Sequence, residues 1–194
     1  MEATPAPKIT GLVLAAGAGT RSGSPKVLRR TESGEPWVAR AVHRLVEAGC
    51  DPVLVVLGAG AEAAFPLVPQ AEHVGIGVIV AQNWSLGLHA SLQAGLQAFA
   101  RVNREAVLIS LVDLPGMTSE VPRRVIEAGP VDRDTLRRAV FDGRPGHPVL
   151  IGRGHLGALA AALEGDRGAG PYLAAHGAAE VECGDLWDGA DIDT

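Results

Sequence analysis

Cysteine is scarce in this sequence, and the two that occur lie far apart. Among 194 residues only Cys50 and Cys183 are cysteines, and they show no paired spacing. Small secreted domains use sets of cysteines as disulfide frameworks, and structural zinc sites use closely spaced cysteine pairs. The sequence therefore argues against both kinds of site and favours a reducing, cytoplasmic setting.

Long apolar runs and an excess of positive charge are also absent. No run approaches the roughly 18 apolar residues of a membrane span, and the first ten residues, MEATPAPKIT, lack the apolar core of a signal peptide. The formal net charge is −5, whereas binding to nucleic acid or to a membrane surface requires a basic face. We therefore expect neither nucleic acid nor a membrane as a partner, and any anion site must be local.

Short apolar runs alternate along the chain with helical patterns. The runs are β-branched and bounded by glycine, proline or polar residues, which predicts buried strands: ITGLVLAA, PVLVVLG, GVIVAQ, AVLISLV and HPVLIG. Apolar residues at helical spacing predict helices over 36–48, 61–65, 88–100, 119–128 and 156–163. This alternation predicts an α/β fold: one domain over residues 1–194, with a mostly parallel twisted sheet and helices on both faces.

In such folds ligands bind beyond the carboxyl ends of the strands, so the loops that follow strands are the candidate sites. These loops are predicted to begin at Ala16, Gly58, Gln82, Asp113 and Gly152.

The first of these loops is glycine-rich and lies in LVLAAGAGTRSGSPK, residues 12–26. Gly17, Gly19 and Gly23 are spaced one residue too widely for the dinucleotide fingerprint, and Pro25 disfavours a helix at that point. An ATPase P-loop is excluded as well, because Lys26 follows proline instead of a glycine. Residues 17–30 hold four cations and no acid. Loop amides together with arginine and lysine side chains are typical of a phosphate-binding loop, although a flexible surface loop with solvated cations is the alternative.

Asp113 follows the strand AVLISLV, which places a carboxylate at a strand's carboxyl end. Mg²⁺ prefers one or two carboxylates combined with phosphate oxygens and water. Asp113 is therefore a candidate magnesium ligand, with a plain D-x-P turn as the alternative. The terminal DIDT adds two more carboxylates, Asp191 and Asp193, for which the alternative is a frayed acidic tail.

The stretch LAAGAGTRSGSPK resembles the L-A-[AG]-G-x-[GS]-x-R-x-G-x-x-K signature of nucleotidyltransferases that act on molybdenum cofactor and on sugar phosphates. Four further segments agree in order: PWVARAVHRLVEAGCDPVLVVLGA, NWSLGLHASLQAGL, SLVDLPGMT and GRPGHPVLIGRGHLGALAAALEGDRGAG. The chain is most similar to the molybdenum cofactor cytidylyltransferases, the MocA-like branch of the MobA-like NTP transferases. This resemblance implies a fold of the nucleotide-diphospho-sugar transferase type. It also implies a nucleotide-binding half over about 8–115 and an acceptor-binding half over about 116–194.

The resemblance also implies roles for individual residues. Arg21, Lys26 and Asp113 would be catalytic, and Asp113 would hold Mg²⁺ with Asp193, or with Asp191 as second choice. His147 would bind the acceptor, unless it only orders the turn before Pro148. The residues expected to bind the nucleotide are Leu14, Ala15, Ala16, Gly17, Ala18, Gly19, Arg21, Lys26, Gly87 and Ser91.

Two features of the motifs favour the cytidine-using branch. Gly87, Ser91 and Leu92 follow the segment of that branch, and Ala16 stands where guanine users tend to have glycine. Trp84 and His89, in the same segment, are expected to serve packing and the helix surface. One departure from the family is Gly170, which replaces the arginine of the usual G-D-x-G-A-R.

The implied reaction is transfer of CMP from CTP to the terminal phosphate of molybdopterin or molybdenum cofactor, with release of pyrophosphate. A molybdoenzyme of the xanthine dehydrogenase type would receive the product. Two neighbouring activities stay open, namely GTP-dependent transfer to the same cofactor and nucleotide transfer to a sugar phosphate. An alternative of another class is a non-catalytic chaperone that binds and delivers the cofactor.

Overall fold

A computed structural model describes residues 9–19, 23–165 and 167–191. The strands are β1 (Ile9–Ala15), β2 (Val53–Leu57), β3 (Ile76–Val80), β4 (Ala106–Leu111), β5 (Leu136–Phe141), β6 (Arg144–Gly152) and β7 (Ala179–Glu182). The helices are α1 (Trp37–Glu47), α2 (Ala61–Ala64), α3 (Leu88–Ala100), α4 (Glu120–Glu127), α5 (Leu156–Ala162) and α6 (Gly170–Ala175). Short 3₁₀ turns lie at Lys26–Leu28, Phe65–Leu67, Trp84–Leu86 and Arg153–His155.

All seven strands form one sheet in the order β3-β2-β1-β4-β6-β5-β7. The first four strands in that order are parallel, while β6 runs antiparallel to both β4 and β5, and β7 pairs parallel with β5. The predicted α/β domain with a mostly parallel sheet is confirmed.

The central strands are buried on both faces, because each face is covered by helices. Every residue of β1 and β2 is buried, as the continuous apolar runs predict. On one face α1 and α4 cover the sheet, with Val38, Val42 and Leu45 of α1 fully buried. On the other face α3, α5 and α6 form a second core around Phe99.

The five strands and five helices expected from the sequence are present, within two residues at their ends except for β6, which begins three residues before the predicted His147. Three elements were not predicted: β5, β7 and α6. The expectation that the loop at Gly152 joins the other strand-end loops is wrong. Because β6 is antiparallel to β4, Gly152 pairs with Ala106 at the opposite edge of the sheet from Asp113.

Within the described ranges, no helix has both the length and the apolar character needed to cross a membrane.

Candidate active site

The carboxyl ends of β1 and β4 meet at the point where the strand order reverses. From β1 the chain continues to β2 and β3 on one side of the sheet, and it then crosses to β4 on the other side. Such a reversal leaves a crevice between two diverging loops, which is where open α/β sheets bind ligands. Here the two loops carry the glycine-rich segment and Asp113.

Lys26 and Asp113 are brought together in this crevice, although 87 positions separate them in the chain. Lys26 Nζ lies 2.8 Å from Asp113 Oδ2, and both side chains are largely buried, with 17% and 16% exposed. Lys26 begins the 3₁₀ turn Lys26–Leu28, which Val27 anchors in the core. The two residues expected to be catalytic therefore share one site, and Arg21, the third, lies outside the described residues.

The loop after β1 is held tightly against its neighbours. Val112 N–H donates to the carbonyl oxygen of Leu14 at 3.1 Å, and Ala59 N–H donates to that of Ala16 at 3.1 Å. A Cβ placed on Gly58 would come within 2.6 Å of the Ala16 carbonyl oxygen and 2.7 Å of Trp84 Cβ. Only glycine at position 58 permits this close approach.

Two arginines of α1 hold the loop that follows Asp113. Arg44 Nη1 donates to the carbonyl oxygen of Leu114 at 2.6 Å, and its Nη2 donates to that of Pro115. Arg40 Nε donates to the same Pro115 oxygen at 2.9 Å. Arg44 is only 5% exposed, and this burial lowers its pKa to about 10. A buried guanidinium with its donors on backbone carbonyls fixes the position of the Asp113 loop.

The residues expected to bind the nucleotide line the same edge. Leu14, Ala15 and Ala16 are buried, so they can offer a nucleotide mainly backbone atoms. Gly17 is exposed and has open space around its Cβ position. Ala18 and Gly19 are half-buried beside it.

Gly87 and Ser91 lie at the start of α3, on the helix that packs against β1 and β2. Gly87 precedes the helix with a φ of 113°, which side chains rarely adopt. Ser91 is buried, one turn into the helix. His89 bonds to the Gly165 carbonyl oxygen from the helix surface, and Trp84 is half-buried beside the second core.

His147 lies at the start of β6, and the antiparallel direction of β6 brings it to the edge that holds Asp113. Burial lowers the pKa of His147 to about 4, and the nearby carboxylate of Asp113 opposes this shift. The imidazole is therefore neutral near pH 7. It lines a cavity of about 300 Å³ between the sheet, α3 and α6.

Asp113 lies at this site and is the candidate ligand of a divalent cation. No three His, Cys, Asp or Glu side chains gather into a metal cluster anywhere in the described ranges. One carboxylate is nevertheless enough for Mg²⁺ when phosphate oxygens and water complete the shell. Asp193 lies outside the described residues and stays a prediction, as does the exposed Asp191. Trp187 contacts Gly116 and Phe141, which brings the C-terminal segment beside the Asp113 loop.

Sequence reasoning missed Arg44, and it named Gly58 only as the start of a loop, without its close approach to Ala16. The signal for Arg44 was available, because it interrupts the apolar face of α1 between Ala41 and Leu45. A charged side chain on a buried helix face requires partners. Gly58 had no comparable signal, since glycine after a strand is common in any loop.

The sequence matches the model of the MobA-like NTP transferase domain over residues 11–181. The chain belongs to the MobA-like NTP transferase family. Nicotine blue oxidoreductase of Paenarthrobacter nicotinovorans is 34% identical over 199 residues, covering 98% of this chain and 95% of that protein. Among solved structures, Rv0371c of Mycobacterium tuberculosis H37Rv superposes with a TM-score of 0.77 at 30% identity, covering 97% of this chain and 94% of that one. A second structure, Rv0371c in complex with manganese, gives a TM-score of 0.66 at 26% identity, with coverage of 91% and 88%.

For this MobA-like transferase, the matched range contains Lys26, Asp113 and His147. The candidate site at the β1 and β4 ends therefore lies within the part of the chain that the family model matches.

Proposed function

We propose that this protein transfers CMP from CTP to the terminal phosphate of molybdopterin or molybdenum cofactor and releases pyrophosphate. The observation that carries the proposal is the Lys26–Asp113 pair at the strand-order reversal, beside a glycine-rich loop. The pair supports the proposal because a lysine ammonium group can bind phosphate oxygens and a carboxylate can hold a metal ion. The resemblance of the loop and of the Ser91 segment to the cytidine-using branch supports CTP as donor.

The chemistry needs little from the protein beyond positioning and charge. A phosphate oxygen of the acceptor forms a bond to the α-phosphorus of CTP, the bond from that phosphorus to the bridging oxygen breaks, and pyrophosphate leaves with the electron pair. The attacking phosphate is already an anion, so no dedicated general base is required. Catalysis then consists of holding two anions in line and neutralising charge.

Each residue of the crevice has a part in this scheme. Lys26 binds a phosphate oxygen, with Arg21 as its expected partner, and the amides of residues 17–19 face the triphosphate. Asp113 would hold Mg²⁺, which supplies charge neutralisation at the phosphates. The complex of Rv0371c with manganese supports a divalent ion in this fold. His147 would face the acceptor, because it lies beside Asp113 on the neighbouring strand.

A panel of nucleotides tests the proposal. The protein is incubated with Mg²⁺, molybdopterin and each NTP in turn, and pyrophosphate is measured. We expect release with CTP, and loss of release when the metal is chelated. Turnover with GTP alone would overturn the cytidine assignment, and tight cofactor binding with no pyrophosphate under any NTP would favour the chaperone.

A second candidate is an oxidoreductase activity, favoured by the nearly full-length likeness to nicotine blue oxidoreductase. This activity requires an electron donor, so the test supplies nicotine blue with NADH or NADPH and follows the loss of colour. Bleaching that persists in Asp113→Asn, together with an inactive NTP panel, would replace the transferase proposal with this one.

A further inference from the structure

The cavity of about 300 Å³ adjoins the candidate active site, because Leu14, Leu111 and His147 at the same ends of the strands line it. Leu14 and Leu111 form its floor at the carboxyl ends of β1 and β4, Leu88 and Leu92 of α3 form one wall, and Leu173 of α6 contributes another. His147 lines the side nearest Asp113. A ligand in this cavity would therefore reach the crevice where the nucleotide phosphates are expected.

The cavity combines an apolar lining with positive charge. Arg138 of β5 and Arg167 are its charged lining residues, and none of the described residues that line it is acidic. The charge of the cavity lining is therefore positive, whereas the net charge of the whole chain is −5. An apolar pocket with a few convergent polar groups is the usual form of a small-molecule site.

Arg138 is the charged lining residue of the cavity that lies on the sheet itself. Its Nη2 donates to Glu180 Oε1 on the neighbouring strand β7, at the outer side of the sheet. Its Nε is buried and finds no acceptor among the residues that the structure describes. A buried donor without an acceptor is destabilising, and a guanidinium has further N–H groups on the same planar fork. Glu180 therefore accepts from Nη2, Nε is enclosed without an acceptor among the described residues, and 18% of the Arg138 side chain stays exposed.

We propose that Arg138 binds an anionic group of a small ligand that fills this cavity. The ligand class is a compact, largely apolar or heteroaromatic molecule bearing a negative charge such as a carboxylate, sulfonate, phosphate or thiolate. The inference rests on the proposed function only in taking this ligand to be the acceptor of nucleotidyl transfer. Arg138 is then a specificity residue for the buried part of the acceptor, away from the phosphate that attacks CTP.

The rival explanation is that Arg138 only ties β5 to β7 through Glu180. Glu180→Gln provides the matched control, because it breaks this ion pair from the exposed side and leaves the cavity lining unchanged. Arg138→Gln removes the charge from the cavity, and Arg138→Lys keeps a charge but lacks Nε. Thermal melting of all three variants establishes that they fold.

Two dyes of similar shape serve as probes for the cavity. The anionic probe is 8-anilinonaphthalene-1-sulfonate, and the neutral one is N-phenyl-1-naphthylamine, which lacks the sulfonate. We expect Arg138→Gln to weaken binding of the anionic dye by about tenfold or more, as loss of a charge-assisted hydrogen bond implies. Binding of the neutral dye should change less than twofold, and Glu180→Gln should leave both affinities near those of the parent protein.

Three results would overturn the inference: equal affinity for the two dyes in the parent protein, unchanged anionic binding in Arg138→Gln, or the same loss in Glu180→Gln. The transferase assay gives the separate test of the acceptor role. There Arg138→Lys should raise the KM for the acceptor and leave the KM for CTP unchanged. If no NTP yields pyrophosphate but the dye results hold, the proposed function fails and the cavity assignment stands.

Discussion

Arg44 Nη1 donates to the carbonyl oxygen of Leu114 at 2.6 Å, from inside the core beneath the loop that carries Asp113. A charged side chain is thus buried to fix the residue that directly follows the candidate metal ligand. The interaction joins α1 to the carboxyl end of β4 across 70 positions of sequence.

Replacing Arg44 should therefore affect both stability and metal use. Arg44→Met removes one donor from each of the Leu114 and Pro115 carbonyl oxygens, which keep Met117 N–H and Arg40 Nε as donors. The loss of these charge-assisted hydrogen bonds should cost about 1–3 kcal/mol of unfolding free energy. It should also raise the Mg²⁺ concentration that gives half-maximal pyrophosphate release, because the Asp113 loop loses its support.

Arg137→Met is the matched control for this experiment. Arg137 is also buried, at 8% exposure, and it donates to the carbonyl oxygens of Val125, Ile126 and Pro130 at the end of α4. In denaturant melts we expect Arg137→Met to lose a similar amount of unfolding free energy, with no change in the Mg²⁺ concentration required for activity. An equal shift of the Mg²⁺ requirement in both variants would mean that Arg44 acts only through global stability.

Removing either member of the Lys26–Asp113 pair should abolish transfer and leave the fold intact. Lys26→Met and Asp113→Asn should each lower kcat by about 10²-fold or more, the cost of losing one preorganised charge at a reacting phosphate. Both side chains are largely buried, so removing one member should also lower the free energy of unfolding, by less than the roughly 3–5 kcal/mol expected for a fully buried pair. Steady-state kinetics and thermal melts measure the two effects.

Arg30→Gln is the control on the same segment, because its guanidinium donates to the Gly34 carbonyl oxygen and is exposed. It should retain near-parental turnover. Near-parental turnover of Lys26→Met or Asp113→Asn would remove that residue from the mechanism.

Alanine substitutions at Gly58 and Gly17, near the first loop, should have different effects: the first on stability and the second on the KM for CTP. Gly58→Ala places a methyl group against the Ala16 backbone and Trp84, so we expect a loss of about 1–3 kcal/mol in stability. Gly17→Ala meets nothing within 4 Å and should fold normally. Its methyl group would lie on the surface where we expect the triphosphate, so the KM for CTP should rise severalfold.

Denaturant melts and the KM for CTP, measured on both variants, test these two predictions. A stable Gly58→Ala protein would contradict the close approach at Ala16. A normal KM in Gly17→Ala would move the triphosphate away from this glycine.

The buried thiol of Cys50 predicts a pH effect on stability. Burial raises its pKa to about 12 from a value near 9, so between these pH values the folded state keeps a proton that the unfolded state has lost. The free energy of unfolding should therefore fall with rising pH in this window, by up to about 1.4 kcal/mol per pH unit from this group. Below pH 9 the contribution is fully present.

Cys50→Ala isolates this contribution, because the other titrating groups are common to both proteins. The stability of the parent relative to the variant should decline between pH 9 and 11 in denaturant melts. Parallel stability curves would refute the assignment. In the folded parent protein at pH 8, Cys50 should also resist a thiol reagent that labels it readily after unfolding.

The parallel half of the sheet could be predicted from sequence because its strands are continuous apolar runs. The strand β5 was missed because its sequence, LRRAVF, contains two adjacent arginines. Their burial depends on carbonyls of α4 and on Glu180, which lie elsewhere in the chain. The strand β7 has only four residues, three of them exposed, and it gains its structure from pairing with β5.

The direction of the strands explains the remaining differences between the site predicted from sequence and the site in the structure. An apolar run such as HPVLIG has the same appearance in a parallel and in an antiparallel strand. The direction of β6 decides that His147, and not Gly152, lies at the edge with Asp113. The sequence alone likewise could not predict that Arg138 lines the cavity, because its position depends on the register that pairs it with Val149 and Glu180.

The reversed direction of β6 also divides the sheet into two parts that can change independently in sequence. Ile109 of β4 pairs with Val149 of β6, yet Ile109 belongs to the parallel strands β1 to β4 and Val149 to the hairpin of β5 and β6. Substitutions in this hairpin and in α6 can reshape the cavity while the register of β1 through β4 is kept. A lineage could thus acquire a new small-molecule preference by changing a short, contiguous part of its gene.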